Sequence, residues 1–229
     1  IMDTGPEKLA DQDETQKNLK KLSEKGAGRF LPEFFKVITL PKNIGCTLTI
    51  IKGMKMCKSE NDIVFLSNDV FLGPQWLLPL QRCAYDVRWK DLVGAVSPYL
   101  SPELCLDEIV NQEFRQNYFE YFHEPFLFLK KESQIVESAL NLIYDDDFLK
   151  FYQAFITRNH GKIYDEGHSA VMYYKRITLN KLGYWDDRFG YLFDGDTGGY
   201  GSDDIDYYIR MNNAGLYRLT CFDSFGHHV

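Results

Sequence analysis

Apolar and polar positions alternate in blocks along the chain. Phe34 to Leu40 is an apolar-rich run closed by Pro41, which predicts a strand. Asn43-Ile44-Gly45 predicts a helix start with Asn43 as N-cap, and Leu48, Ile51 and Met54 recur on one face after it. Asn61 to Leu66 predicts the next strand, and its Ile63-Val64-Phe65-Leu66 is apolar without alternation. A strand apolar on both faces is expected to be parallel and covered by helices. Trp76 to Asp86 then predicts a helix, and Leu92 to Val96 a strand stopped by Pro98.

Residues 107 to 158 differ. Glu, Gln, Phe, Tyr and Leu dominate and glycine is absent, which predicts a helical block broken once at Pro125. Val171 to Tyr174 predicts a strand, and Ile177 to Leu182 a short helix with Gly183 just past its end. Ser202 to Ala214 predicts a helix with Ser202 as N-cap and Gly215 at C′, and Tyr217 to Phe222 a final strand. Residues 7 to 28 read as a polar surface helix ending near Gly26. Strands alternating with helices place the chain in the α/β class with one helical insertion. A single domain is expected over 1–229, with halves at 1–100 and 166–229 around an insertion at 101–165. Ile1-Met2-Asp3 reads as the inside of a strand, so a further strand is expected before Ile1.

Composition narrows the function classes. The net charge of -7 and pI near 5.3 give no basic footprint for a nucleic-acid backbone, so no nucleic-acid partner is expected. The five cysteines are odd in number and form no CxxC pair, which points to reduced thiols in a cytoplasmic protein rather than a zinc site or disulfide framework. No apolar run reaches the roughly 18 residues of a membrane span, and no signal peptide is visible.

Four places carry candidate chemistry. Asn68-Asp69 ends an apolar strand, where a carboxylate can hold a divalent cation against a diphosphate; Ser-Asn-Asp is also ordinary turn chemistry. Asp3 stands in the same way before Gly5-Pro6, and both carboxylates are expected at one edge of one sheet. In GGYGSDDIDYYIRMNNAG, Gly198 to Gly215, a glycine-rich loop runs into a helix whose first turn holds Asp203 and Asp204. The helix dipole alone favours acids there, while the glycines allow close approach to a ligand. Asp194-Gly195-Asp196 starts like an EF-hand loop, but Ile205 at position 12 excludes one. His227-His228, read as lying just after the last strand, offers imidazole ligands for manganese or zinc, or a surface pair.

Seven stretches in order resemble the inverting family 2 glycosyltransferases: IMDTGP, NIGCTLTIIKG, DIVFLSNDVFLGPQWL, VGAVSPYL, AVMYYKRITLNKLGYWDDRFG, YGSDDIDYYIRMNNAGLYRL and SFGHHV. They span most of the chain outside residues 100 to 165. The chain departs from the family in Asn68, which replaces one carboxylate of the metal motif, and in a longer helical block. The resemblance implies a GT-A-type fold, a Rossmann-like, mixed but mostly parallel sheet flanked by helices. It implies metal-dependent transfer of a sugar from a nucleotide-sugar, UDP- or dTDP-linked, to a glycan, lipid-linked or protein acceptor. By the same resemblance Asp204 is the general base and Asp203 assists. Asp3, Asn68 and Asp69 hold the nucleotide-sugar, and Asp69 with His227 or His228 holds Mn²⁺ or Mg²⁺. Trp185, Asp186, Asp187 and Tyr200 are acceptor candidates. Contact with a membrane surface is a further expectation, and the insertion is expected to cap the sheet as an amphipathic layer, to shape the acceptor site or to make a homodimer contact. The competing readings are a sugar nucleotidyltransferase and a degenerate scaffold or carbohydrate-binding module.

Overall fold

The computed structural model describes residues 2–3, 17, 20–21, 24–25, 38–40, 44–101, 147–165, 170–190 and 203–228. The strands are β1 (Met2–Asp3), β2 (Ile38–Thr39), β3 (Ile63–Leu66), β4 (Val70–Leu72), β5 (Val93–Ser101), β6 (Ile163–Tyr164), β7 (Val171–Tyr174) and β8 (Tyr217–His228). The helices are α1 (Cys46–Met56), α2 (Leu77–Ala84), α3 (Phe148–Asn159), α4 (Arg176–Leu182) and α5 (Asp203–Asn213), with a 3₁₀ turn at Asp187–Gly190. No helix among the described residues is long and apolar enough to cross a membrane. Two compact units result: Ile1–Asn61 with Gly183–Arg210, and Asp62–Leu182 with Met211–Val229.

In the first unit β1 and β2 pair in parallel, Met2 opposite Ile38 and Asp3 opposite Thr39. Helix α1 starts at Cys46, so Gly45 is its N-cap in place of the expected Asn43. Gly45 takes a φ of 83°, a left-handed conformation that glycine adopts freely. The buried stripe is Thr47, Ile50, Ile51 and Met54, one helical face at spacings of three and four, and Leu48 lies beside it half-buried. Within α5, Arg210 pairs with Asp206 one turn earlier at 2.8 Å and lies over the Tyr207 ring at 4.7 Å.

The second unit corrects the expected architecture. Its six-stranded sheet runs β3-β7-β5-β8-β4, with β6 paired to β8. The ladders β3–β7, β5–β7, β4–β8 and β6–β8 are antiparallel, and only β5–β8 is parallel. This is a mixed, mostly antiparallel sheet, and the mostly parallel Rossmann-like GT-A sheet is not what the sequence builds. The reading failed first at β3. Its unbroken apolar run suggested a parallel strand covered by helices, yet β3 ends the strand order, antiparallel to β7, with Leu66 exposed.

The sheet also curls. Strands β3 and β4 stand at opposite ends of the strand order, yet only Ser67, Asn68 and Asp69 join them. Five strands laid flat would place those ends about 19 Å apart. The link from Leu66 to Val70 reaches at most about 14 Å. The two edges must therefore approach each other, giving the sheet a nearly closed, barrel-like curvature.

Two more expectations fail at strand ends. Pro98 was expected to stop β5, but β5 runs on to Ser101 and is buried throughout. Pairing with β7 ends at Val96, and the β5–β8 register shifts between Pro98 and Tyr99, so the proline's missing N–H falls at an irregularity. Likewise β8 continues past Phe222 to His228, so Phe225-Gly226-His227-His228 lies inside a strand.

Other boundaries match their local signals. β7 spans Val171–Tyr174, and Gly183 after α4 has a φ of 77°. After α5 the Gly215 amide bonds the Asn212 carbonyl at 2.9 Å and the Leu216 amide bonds Met211 at 2.9 Å, a Schellman closure with Gly215 at φ 70°. The core is built in clusters along β8. Leu80, Cys83 and Ala84 of α2 pack with Val93, Val96, Leu219 and Cys221. Phe155 of α3 meets Tyr99 and Phe225 at ring-centroid distances of 4.9 and 4.7 Å.

Candidate functional site

Asp69 occupies the short link where the two sheet edges meet, immediately before the rung Val70–His228 of the β4–β8 ladder. That register brings His228 Nε2 to 3.4 Å from Asp69 Oδ1. Oδ1 also accepts a short hydrogen bond from the Ser67 hydroxyl. The His228 hydrogen bond lowers the Asp69 pKa from its usual value to about 2, against an opposing push from partial burial, and the Ser67 hydroxyl helps. Asp69 is therefore a fixed anion at any moderate pH. Its side chain is 46% exposed and that of His228 21%, so the pair is open to a ligand.

The two adjacent histidines divide. Successive side chains of a strand point to opposite faces, so His228 reaches Asp69 while His227 turns inward and is wholly buried. Burial, with the nearby His228, lowers the His227 pKa to about 3, which keeps its imidazole neutral. The neighbouring backbone is tightly packed. A Cβ on Gly226 would lie 2.7 Å from Leu72, 2.9 Å from Leu100 and 3.0 Å from the Phe71 carbonyl oxygen. At Gly73 it would meet the Tyr152 ring at 2.1 Å, and the Tyr152 hydroxyl donates to the Pro74 carbonyl at 2.7 Å. The Gly73 amide bonds Phe225 O at 3.0 Å, which fixes the end of β4 to β8.

The other expected site residues fall differently. Asp3 lies in the two-stranded sheet of the first unit and Asp69 beside the six-stranded sheet of the second, so they do not share one sheet edge as expected. Asp203 opens α5, and the half-buried Asp204 follows it, its Oδ1 accepting from the Ile205 amide at 2.8 Å. Trp185 is buried, with 5% of its surface exposed. Asp186 is held by the Arg188 side chain and by the Arg188 amide at 2.9 Å, which lowers its pKa to about 2. That is local turn chemistry. Asp187 is exposed at the start of the 3₁₀ turn, and Asn68 is exposed in the β3–β4 link. Tyr200 and the whole of the 107 to 158 block before Asp147 lie outside the described residues.

An aspartate oxygen beside an imidazole nitrogen is a donor pair suited to manganese. Magnesium is commonly held by one or two carboxylates, with substrate phosphates and water as its other ligands. Among the described residues no group of three or more His, Cys, Asp or Glu side chains is gathered. The pair therefore fits an ion whose other ligands come from a phosphorylated substrate, and the buried His227 is not a part of it.

Sequence reasoning missed Ser67, although Ser-x-Asp is visible as turn chemistry beside the aspartate. It also missed Asp62, which accepts from the Tyr85 hydroxyl at 2.7 Å, the Tyr173 hydroxyl, and the Arg176 amide at 2.7 Å. No local signal announces that cluster, because its members come from separate elements.

No protein-family model matches this chain, and no curated protein matches it.

Proposed function

We propose that this chain transfers a sugar from a nucleoside-diphosphate sugar to an acceptor hydroxyl with inversion. With the sheet corrected, the reading no longer leans on a GT-A fold. It rests on one observation: a permanently ionised Asp69 and an accessible His228 stand side by side at the sheet seam. A divalent cation bound there would neutralise charge building on the departing diphosphate. Asp69 would supply a carboxylate oxygen to the ion and His228 a ring nitrogen. Ser67 and the β4–β8 rung keep both in place.

Asp204 is the general base of this reading. It stands in the first turn of the 11-residue helix α5, and its Oδ1 accepts from the Ile205 amide at 2.8 Å. It would accept the proton of the acceptor hydroxyl as the new C–O bond forms and the bond to diphosphate breaks.

Thermal unfolding with UDP, dTDP and GDP, each with and without Mn²⁺, tests the reading. A nucleotide at 100 times its dissociation constant stabilises by about 2.7 kcal/mol. The expected result is a shift for one nucleotide that requires the metal and disappears in Asp69→Asn. Asp204→Asn should keep the shift and lose transfer. No shift with any nucleotide overturns the reading.

A further inference from the structure

The transfer reading leaves two buried thiols unused. Cys83 stands in the last turn of α2 and Cys221 in the middle of β8. Both are buried free thiols in the same core cluster, between Leu80, Val93 and Leu219. The Cys221 thiol donates to the Pro79 carbonyl at 3.8 Å, one turn before Cys83 in α2, and the neighbourhood of the two thiols pushes Cys83 up and draws Cys221 down. Cys221 is therefore the more acidic of the two thiols.

These thiols are not sealed in. Both line a cavity of about 450 Å³ whose walls include Trp89, Ile156 and Ile163. Exposed Arg82 and His160 line the same cavity. A buried pair in a closed core is inert, but a pair in the wall of a cavity meets a small reagent that enters it. Cys46 and Cys57 are exposed and make the contrast: they are more accessible, yet neither is buried against a second cysteine of the described set.

We propose that Cys83 and Cys221 form a redox-active dithiol, which a hydroperoxide entering this cavity converts to a disulfide joining α2 to β8. The Cys221 thiolate attacks the peroxide O–O bond. A sulfenic acid forms, and the other oxygen leaves as water or alcohol after taking up a proton. The Cys83 sulfur then attacks the sulfenic sulfur, the S–S bond forms, and the sulfenic oxygen leaves as water with the Cys83 proton. The peroxide gains the two electrons that the thiols lose. The bridge would tie the end of α2 to the strand that carries His228, independently of whether that strand serves sugar transfer.

The test treats the full chain with one equivalent of hydrogen peroxide and maps its peptides without reduction. The expected product is a linked Cys83–Cys221 peptide pair, lighter by two hydrogens and released by dithiothreitol. It should survive Cys46→Ser and Cys57→Ser and vanish in Cys83→Ser and Cys221→Ser. The wild-type map decides the matter even if a serine variant folds poorly. The proposal is overturned if Cys83 and Cys221 stay reduced, stop at sulfinic acid, or link only to Cys46, Cys57 or Cys105.

Discussion

His228 Nε2 lies 3.4 Å from Asp69 Oδ1, across the rung where the far end of the chain pairs with a four-residue-removed neighbour of β3. Its sequence neighbour His227 is excluded from this contact by the strand's alternation. The two histidines should therefore fail differently. His228→Ala removes a partly exposed pair and should change stability by no more than about 1 kcal/mol. It should abolish the metal-dependent nucleotide shift. His227→Ala empties a fully buried position and should cost about 2 to 4 kcal/mol. Its nucleotide shift should persist below the lowered melting temperature. Equal loss of the shift in both variants, with equal stability, would contradict this division.

The seam depends on two glycines. Gly226→Ala drives a methyl against two leucine tips, which can move, and against the Phe71 carbonyl, which is held in the β4–β8 ladder. A loss of about 1 to 3 kcal/mol is expected in urea unfolding. Gly73→Ala strikes the Tyr152 ring and should break its hydrogen bond to Pro74. The combination with Tyr152→Ala should be little worse than Tyr152→Ala alone, because the clashing ring is gone. A strictly additive double mutant would show that the clash is relieved some other way.

These relations explain what could be read from the sequence. β7, α4 and the end of α5 were legible because Gly183 and Gly215 punctuate them and short-range periodicity places them. Asp69 was legible as a polar break after an apolar run. The strand order was not. Ile63 to Leu66 carries the same apolar signal whether it sits centrally or at a curled edge, and only its partner β7 decides. Pro98 ends a strand when its neighbours need the N–H, but here the β7 ladder has already stopped. That His228 and not His227 meets Asp69 follows from β8 running to the end, which the turn-like Phe225-Gly226 concealed.

Asp62 holds three groups from three places: the Tyr85 hydroxyl after α2, the Tyr173 hydroxyl in β7 and the Arg176 amide at the start of α4. Asp62→Ala leaves these donors without their acceptor and should cost about 2 to 4 kcal/mol. Asp62→Asn keeps the shape and one acceptor oxygen and should cost less. A loss below about 0.5 kcal/mol for Asp62→Ala would mean that water replaces the carboxylate fully.

The same cluster sets an alkaline limit. Burial, then the bond to Asp62, raises the Tyr85 phenol to about 12, and the same causes raise Tyr173 further. A phenol in the unfolded chain ionises near pH 10. Between that pH and the raised folded values the unfolded chain binds fewer protons than the native protein, so stability falls as pH rises. The contribution is complete below about pH 10 and disappears progressively as pH climbs through about 12. Urea unfolding followed from about pH 8 to about pH 12 should show this decline, with Tyr absorbance marking ionisation. Tyr173→Phe and Tyr85→Phe should each start less stable at neutral pH and lose less on the way up. If both variants decline as steeply as the wild type, other groups set the alkaline limit and the Asp62 cluster does not.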